Sequence, residues 1–434
     1  MHDDTQIQPV DELYFQSDIL IVGGGPAGLL LALSCLSEGF SVSIVEKDTN
    51  HTWYQNFCFW KEELSGSVVP KEFQNLFNQS VEMEWDRALV RINRQTQVEI
   101  ESTFVKFNTP RLQQLLTNTV QSLGAKIFED TVQSIEHHPT HSIIKGNHTY
   151  RSKVVVLASG STSNLLSYTP NPKPAFQIAY GQLLKVNDTS AFDLNAVGFM
   201  NFDAPLKNKR QYHYPPSFLY TLPMSSTEIF VEETILATRD TVDWNLLTGR
   251  LATRKQSMGL QDAEVLDEEH CVIQMGGSLP EFGRTLAFGA AAGFTHPVTG
   301  FQMTRSICTA PRLAKKLRQL WNNDIDTLCT ESWEAIWTES EERNRRLYLL
   351  GLDMITRFNL RETQSFFDAF FKVSAENRAD FLSGWGSTKS VESTMWQTFQ
   401  HANWGTRTRI VQHSIQHPSS LFSALLGTSF LEPS

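Results

Sequence analysis

The chain has 434 residues, 41% of them hydrophobic and 19% charged, which is enough for a sizeable core in two or three domains or one interleaved unit. Its formal net charge of -10 argues against nucleic acid as a partner. Five scattered cysteines without a C-x-x-C pair or metal-ligand spacing predict buried thiols in a reducing cytosol and no metal site.

The N-terminal segment 1–16 is acidic and has no apolar centre. It therefore matches neither a secretory signal nor a basic transit peptide. No run of eighteen or more apolar residues follows anywhere in the chain, so no membrane-spanning helix is expected.

A βαβ unit opens the chain, with a strand at 18–22, a glycine turn at 23–28, a helix at 29–38 and a second strand at 41–46. Its turn reads G-x-G-x-x-G, in which the glycines permit a tight turn, close approach of a pyrophosphate and tight helix packing. The acid that ends the second strand is placed to bind ribose hydroxyls. The predicted dinucleotide contacts are Gly23, Gly25, Pro26, Ala27, Gly28, Glu46 and Lys47.

The next pieces are a helix from 109 to about 123 and strands at 126–132 and 154–160. Arg111, at the start of that helix, is either a pyrophosphate contact or an ordinary helix-start residue. A region of β character from about 175 to 275 then interrupts the nucleotide-binding pieces. We therefore expect two interleaved domains.

An acidic pair, Glu232 and Glu233, lies in an apolar run at 230–234. With the segment at 218–224 and a polar turn at 225–228, it predicts a β-hairpin with the pair near the end of its second strand. Neighbouring strand residues point to opposite faces, so one glutamate alone can face a given pocket. An apolar pocket would raise its pKa and make it a general acid. The alternative is a solvated edge strand with two surface glutamates.

A second glycine-rich block at 286–300 suits the remainder of a long FAD molecule. The predicted contacts in this block and directly after it are Gly289, Ala290, Gly293, Pro297, Gly300 and Phe301. Many flavin hydroxylases carry an aspartate where this chain has Ala290, which weakens a hydroxylase interpretation. His296 is either a structural hydrogen bonder or a catalyst.

The chain from about 310 onward is predicted to be mostly helical. The basic run 343–346 suggests a solvated helix face or a contact with lipid headgroups, and the apolar tail 421–426 either caps the core or dips into a bilayer. We predict an FAD-binding domain over 17–60, 107–172 and 271–325, a β-rich substrate domain over 61–106 and 173–270, and a helical region over 326–434.

These motifs together resemble the lycopene cyclase family. The acidic motif Phe-Val-Glu-Glu-Thr is close to the family's Phe-Leu-Glu-Glu-Thr, and the block at 288–300 is close to its Gly-Ala-Ala-Ala-Gly-x-x-His-Pro-Ala-Thr-Gly. Other matching segments are 50–53, 177–181, 218–224 and 366–371. Asn201 departs from the Met-Asp pair that the family often shows and leaves room for a different polyene.

The resemblance implies an α/β fold, with a Rossmann-like FAD-binding domain of the flavin hydroxylase type interleaved with a β-rich domain. It also implies reduced FAD, NAD(P)H as reductant, and non-redox cyclisation of lycopene or a related linear polyene, with beta-carotene as the expected product. Such a protein is expected in the bacterial cytoplasm, in peripheral contact with the inner face of the membrane.

A desolvated acid must protonate the terminal alkene, and we expect Glu232 to be that acid, with Glu233 ordering the strand or helping in proton return. Aromatic faces can stabilise the resulting cation. The candidates are Trp53, Phe57, Phe59 and Trp60, each of which is alternatively a core residue.

Three other functions stay open. A flavin monooxygenase or polyprenyl reductase shares the general fold but consumes NAD(P)H stoichiometrically. A cyclase of another polyene or terpenoid side chain would keep the chemistry and change the substrate. A non-catalytic flavoprotein or carotenoid carrier would not need an acidic pair in an apolar strand.

Overall fold

The structure, a computed structural model, describes residues 15–64, 71–161, 163–169, 173–187, 192–205, 210 and 212–416. The apolar tail 421–426 lies outside the described residues. The strands are β1 (Phe15–Val22), β2 (Val42–Glu46), β3 (Cys58–Trp60), β4 (Val81–Trp85), β5 (Arg87–Arg91), β6 (Gln97–Ile100), β7 (Phe104–Phe107), β8 (Lys126–Glu129), β9 (Ser134–His138), β10 (His141–Lys145), β11 (Thr149–Leu157), β12 (Ala175–Lys185), β13 (Ala196–Asn201), β14 (Ser217–Pro223), β15 (Glu228–Thr238), β16 (Glu264–Met275) and β17 (Thr285–Ala287).

Helices connect the strands and fill the C-terminal part of the chain. They are α1 (Pro26–Ser37), α2 (Lys71–Ser80), α3 (Thr109–Ser122), α4 (Trp244–Ser257), α5 (Met303–Leu320), α6 (Ile325–Ile336), α7 (Glu339–Ile355), α8 (Leu360–Phe370), α9 (Ala375–Ser383), α10 (Thr388–His401) and α11 (Trp404–Gln416).

The first sheet has the strand order β8-β2-β1-β11-β10-β9, with β17 beside β11. Strands β8, β2, β1, β11 and β17 run parallel, which requires crossover connections such as α1. Helix α1 is apolar on nearly all sides and is buried against β1, α3 and α5. The predicted βαβ unit is therefore present.

The second sheet has the order β16-β12-β15-β14-β13-β5-β6, and a small sheet β3-β7-β4 adjoins it. Its β12, β15 and β16 are long strands of 11, 11 and 12 residues. Nearly every residue of β15 is buried, so both faces of that strand are covered by other layers. One face packs against α4 through Ile178, Val231, Ile235 and Leu247.

The opposite face of the second sheet is covered by the helical C-terminal region. Phe218 on β14 joins the same apolar cluster as Tyr348 on α7, Phe367 on α8 and Phe381 on α9.

The two large sheets are interleaved along the chain, because residues 58–107 and 175–275 lie between segments that form the first sheet. The predicted mixed α/β class with a helical C-terminal region is confirmed, while the domain boundaries stay predictions. Strand β16 continues to Met275, beyond the predicted boundary at 271.

Candidate functional site

The first glycine loop (residues 23–28) joins β1 to α1 and leaves room for a phosphate. Gly23 has φ +111°, and a Cβ there would lie 2.5 Å from the carbonyl oxygen of Ala158. A Cβ at Gly28 would lie 1.9 Å from the carbonyl oxygen of Gly23, whereas one at Gly25 would meet nothing within 4 Å. Gly25 also caps α1 without a side-chain hydrogen bond, so the helix N-terminus is open to an anion.

The carboxylate of Glu46 closes this loop at the end of β2. Its Oε2 accepts a hydrogen bond from the Gly24 N–H at 2.6 Å, and its Oε1 accepts one from the Asp48 N–H at 3.2 Å. This position suits ribose recognition. Lys47 and Arg111 are exposed, and neither lines the large cavity described next.

A large cavity of about 590 Å³ runs between the two sheets, within the usual size range of ligand sites. At one end it is lined by Pro26 of the first glycine loop and by Ala290, Gly300 and Phe301 of the second glycine loop (residues 289–302). Gly289 has φ +66°, and a Cβ there would lie 2.4 Å from the Cβ of Ala27. The two loops therefore pack directly against each other. The open helix N-terminus at the first loop and the cavity wall at the second suit the two ends of an extended dinucleotide.

The acidic pair lies on the predicted hairpin, β14–β15, in the middle of β15 and not near its end. Phe230, Glu232, Thr234 and Leu236 all line the large cavity, while the intervening Val231 and Ile235 pack toward α4. The alternation therefore puts Glu232 on the cavity face and Glu233 on the α4 face, and the solvated-edge alternative is wrong because β15 pairs with strands on both sides.

Glu233 is fully buried beneath the sheet and held by an ion pair. Its Oε2 accepts a hydrogen bond from Arg254 Nε at 3.1 Å, and its Oε1 accepts one from Ser217 Oγ at 2.6 Å. Arg250 donates to the same Ser217 hydroxyl at 2.8 Å. Glu233 thus anchors α4 to β15 and β14 and does not line the large cavity.

Among the residues that the structure describes, no cation forms an ion pair with Glu232. Its Oε1 accepts a hydrogen bond from Thr234 Oγ1 at 2.5 Å. Burial, and then the negative charge of Glu269, raise the pKa of Glu232 to about 8. Its carboxyl is therefore protonated at neutral pH, as a general acid requires.

Glu269 is the carboxylate that sequence reasoning missed. In β16 it lies opposite Gly181 of β12, and Gly181 lies opposite Glu232 on its other side. Both glutamates line the large cavity. The N–H and the side-chain amide of Asn56 both donate to Glu269. Burial raises the pKa of Glu269, while Asn56 and the charge of Lys106 oppose that rise.

Gly181 makes room between the two carboxyls. A Cβ at this position would lie 2.4 Å from the Cζ of Phe230. The Phe230 ring therefore occupies the space that a side chain at position 181 would need. Two acids with different partners on one apolar wall can divide the roles of proton donor and proton acceptor.

Aromatic side chains form much of the remaining wall. Of the four predicted candidates, Phe57 lines the large cavity, whereas Trp53, Phe59 and Trp60 are buried in apolar clusters as core residues. Sequence reasoning missed other rings that line it, namely Phe199, Phe218, Tyr220, Phe230 and Phe367.

The second glycine loop is held from behind by His296. Its Nδ1 accepts hydrogen bonds from the Val298 and Thr299 N–H groups, each at 3.2 Å. Burial and the nearby Arg305 lower the pKa of His296 to about 3, so the ring is neutral and acts as the predicted structural hydrogen bonder. Gly293 and Pro297 line a separate small cavity on this side.

The basic run 343–346 is not uniformly solvated. Arg343 pairs with Glu392 at 2.7 Å on the surface, but Asn344 and Arg345 are buried. Among the described residues no helix is long and apolar enough to cross a membrane.

Fold and site together define a protein of α/β fold with two glycine loops, suited to a dinucleotide, beside an apolar cavity that bears two acids. The family model "Lycopene cyclase protein" matches residues 18–408, and the chain belongs to the lycopene cyclase family.

The similar curated proteins include lycopene beta cyclases and neoxanthin synthases. The chain is 30% identical over 378 residues to the lycopene beta cyclase of Capsicum annuum, covering 84% of this chain and 74% of that one. It is 29% identical over 409 residues to the neoxanthin synthase of Solanum lycopersicum, covering 91% and 80%.

Solved structures share the fold at low sequence identity. A geranylgeranyl bacteriochlorophyll reductase-like protein from Thermoplasma acidophilum matches with a TM-score of 0.68 and 13% identity, over 93% of this chain and 100% of that one. A flavin-dependent brominase matches with a TM-score of 0.63 and 15% identity, over 92% and 100%. The predicted flavin hydroxylase type of fold is confirmed.

Proposed function

We propose that this protein is a lycopene cyclase that closes the ends of a linear carotene by proton transfer, without net oxidation or reduction, to give beta-carotene. The observation that carries the proposal is Glu232, an acid with a raised pKa on the apolar wall of the large cavity. An isolated alkene is a weak base, so a desolvated acid of this kind is what the reaction needs.

The steps balance without a redox partner. Glu232 gives its proton to the terminal alkene, which leaves a tertiary cation, and the neighbouring double bond attacks that cation and closes a six-membered ring. Loss of a ring proton then restores an alkene. Glu269, held by Asn56, is assigned as the group that receives the ring proton, so that one proton is taken up and one released per ring.

FAD is the cofactor that the two glycine loops and the open N-terminus of α1 fit. In its reduced form it supplies an electron-rich ring system that stabilises positive charge, and NAD(P)H stays the predicted reductant. The residues assigned to hold it are Gly23, Gly25, Gly28 and Glu46 at the nucleotide end and Ala290, Gly300 and Phe301 at the flavin end.

Peripheral contact with the inner face of a bacterial membrane is part of the proposal. Its support is a rim of the large cavity that includes the exposed Tyr54 and Val272, together with Trp396 (60% exposed) and Trp404 (81% exposed) on α10 and α11. Tryptophan is favoured at membrane interfaces.

Flotation with vesicles of bacterial lipids tests this contact. We expect the protein to float with the vesicles, and the floated fraction to fall in the variants Trp396→Ala and Trp404→Ala. A protein that does not bind the vesicles would contradict the contact.

The reaction is tested with purified protein, FAD and lycopene under anaerobic reduction in D₂O. We expect a cyclic carotene that carries one deuterium per ring, because the new C–H bond comes from an exchangeable acid. Stoichiometric NAD(P)H oxidation or oxygen uptake would instead indicate a reductase or monooxygenase. Unchanged lycopene would contradict the proposed substrate, and formation of neoxanthin from another carotenoid would instead indicate the activity that the name of the neoxanthin synthase relative states.

A further inference from the structure

A small cavity lies behind the second glycine loop, on the side away from the acids. Its volume is about 30 Å³, room for about two water-sized particles. The loop itself forms one wall, and α5, α7 and the segment 383–385 form the others. Thr295 and Phe301 line both this cavity and the large one.

The small cavity is lined by hydrogen-bond donors that lack partners. Within the described parts of the chain, Arg305 Nε, Arg345 Nε, Tyr348 OH and Trp385 Nε1 are buried without a hydrogen bond. Guanidinium and indole nitrogens can only donate. Buried polar atoms are rarely left unsatisfied, so four such atoms around one void indicate that something occupies it.

His296 also lines the small cavity, and its remaining N–H interacts with the backbone of Phe381. Because its Nδ1 accepts two backbone N–H groups, its proton lies on Nε2. Nε2 is buried. The ring of His296 lies 4.4 Å from that of Tyr348.

The surroundings carry an excess of positive charge. Arg345 is 6% exposed and donates from Nη2 to the Gly277 carbonyl at 2.7 Å, but in the described chain no carboxylate lies within 4 Å of it. Glu341, which also lines the cavity, is shared by Arg312 at 2.9 Å and Arg305 at 3.5 Å. A buried guanidinium without a counter-ion is costly.

A donor-rich, cationic wall favours an occupant that only accepts hydrogen bonds. Water brings two hydrogens that need acceptors of their own, and an oxyanion such as phosphate has too many atoms for the volume. We propose that the small cavity is a binding site for a monatomic monovalent anion, chloride under cellular conditions, which ties the second glycine loop to α5 and α7.

The experiment uses the full chain with FAD bound. Thermal unfolding is followed in sodium chloride and in sodium gluconate at equal ionic strength. Because a ligand that binds the native state alone raises stability by mass action, we expect a saturable rise in melting temperature of about 1–3 °C with chloride and none with gluconate. Equal curves in the two salts would overturn the proposal.

Matched variants locate the effect. Tyr348→Phe keeps the ring and removes one donor, and should weaken the chloride response about tenfold. Arg343→Gln, on the same helix but at the surface beside Glu392, should leave the response unchanged. Crystals grown in bromide should show one anomalous peak in the small cavity, and a cavity that holds water alone would refute the site.

Discussion

The two faces of β15 place neighbouring glutamates in opposite surroundings. On the α4 face, Glu233 meets Arg254 and Ser217 and is fixed as one half of a buried ion pair. On the cavity face, Glu232 meets a hydroxyl, aromatic rings and a second acid, and burial raises its pKa to about 8. One step along a strand therefore separates an ion-paired glutamate from a glutamate with a raised pKa.

The difference lies in the partners and not in the residue type. A cation stabilises the charged form of a carboxyl, whereas an apolar wall and a like charge stabilise the neutral form. Four substitutions can break or sharpen this contrast.

The largest expected effect is that of Glu232→Gln. We expect the cyclisation rate to fall about 10²- to 10⁴-fold because the variant has no proton to donate, while the melting temperature changes little. Initial rates with lycopene, beside the control Glu228→Gln on the same strand, measure this. An active Glu232→Gln variant would remove Glu232 as the acid.

Glu233→Gln should act on stability. It leaves Arg254 buried without its counter-ion, and we expect unfolding to become easier by about 3–5 kcal/mol, as measured by urea denaturation. Activity should fall in step with the folded fraction. A fully stable variant that has lost cyclisation would show that Glu233 takes part in the chemistry.

Gly181→Ala tests the space between the acids. The new methyl group would strike the Phe230 ring, which has to move into the large cavity, so we expect a loss of about 1–3 kcal/mol and a rate about tenfold lower. Gly249→Ala on α4, where a Cβ meets nothing within 4 Å, should be neutral or slightly stabilising. Equal behaviour of the two variants would contradict the close contact.

The pH dependence gives the smallest and most specific test. With a pKa of about 8, the donor form of Glu232 is present at low pH, so the rate should fall as the pH rises through about 8. Glu269→Gln removes both a like charge and the assigned proton acceptor, so its remaining rate should be lower overall and should fall at a lower pH than that of the unmodified protein. Glu268→Gln, at a carboxylate that accepts a hydrogen bond from Tyr180, should leave the midpoint unchanged. An unmoved midpoint in Glu269→Gln would mean that the two acids do not interact.

The free energy of unfolding should also depend on the ionisation of Glu232, and it should decrease as the pH rises. Because the folded pKa of Glu232 lies above its unfolded value, its contribution to stability is fully present below about pH 4.3 and is lost as the pH rises through about 8. Glu232→Gln should flatten this slope in urea titrations at several pH values.

Local sequence patterns were enough to predict several features of this structure. Alternation along a strand put Glu232 and Glu233 on opposite faces, and the glycine spacing predicted the turn before α1. Both follow from local geometry. The fold class needed in addition a resemblance that runs over most of the chain.

What sequence reasoning missed depends on pairing between distant segments. Glu269 stands in a run of three acids that looks like a solvated strand, and only the register of β16 and β15 on β12 brings it beside Glu232. Arg345 likewise belongs to a basic run, and the packing of α7 decides that it is buried. Nothing in either local pattern signals these outcomes.

Strand β15 is hydrogen-bonded to β12 on one side and to β14 on the other, so its acid is stationary. We expect the distance from the cavity mouth to Glu232 to set how far a rod-like substrate must enter before its end reaches this carboxyl. A rod with two equivalent tips can present only one of them at a time. In the proposed reaction the substrate must leave the cavity, reverse its direction and enter again. A product with one end cyclised should therefore appear free in solution or lipid before the product with both ends cyclised.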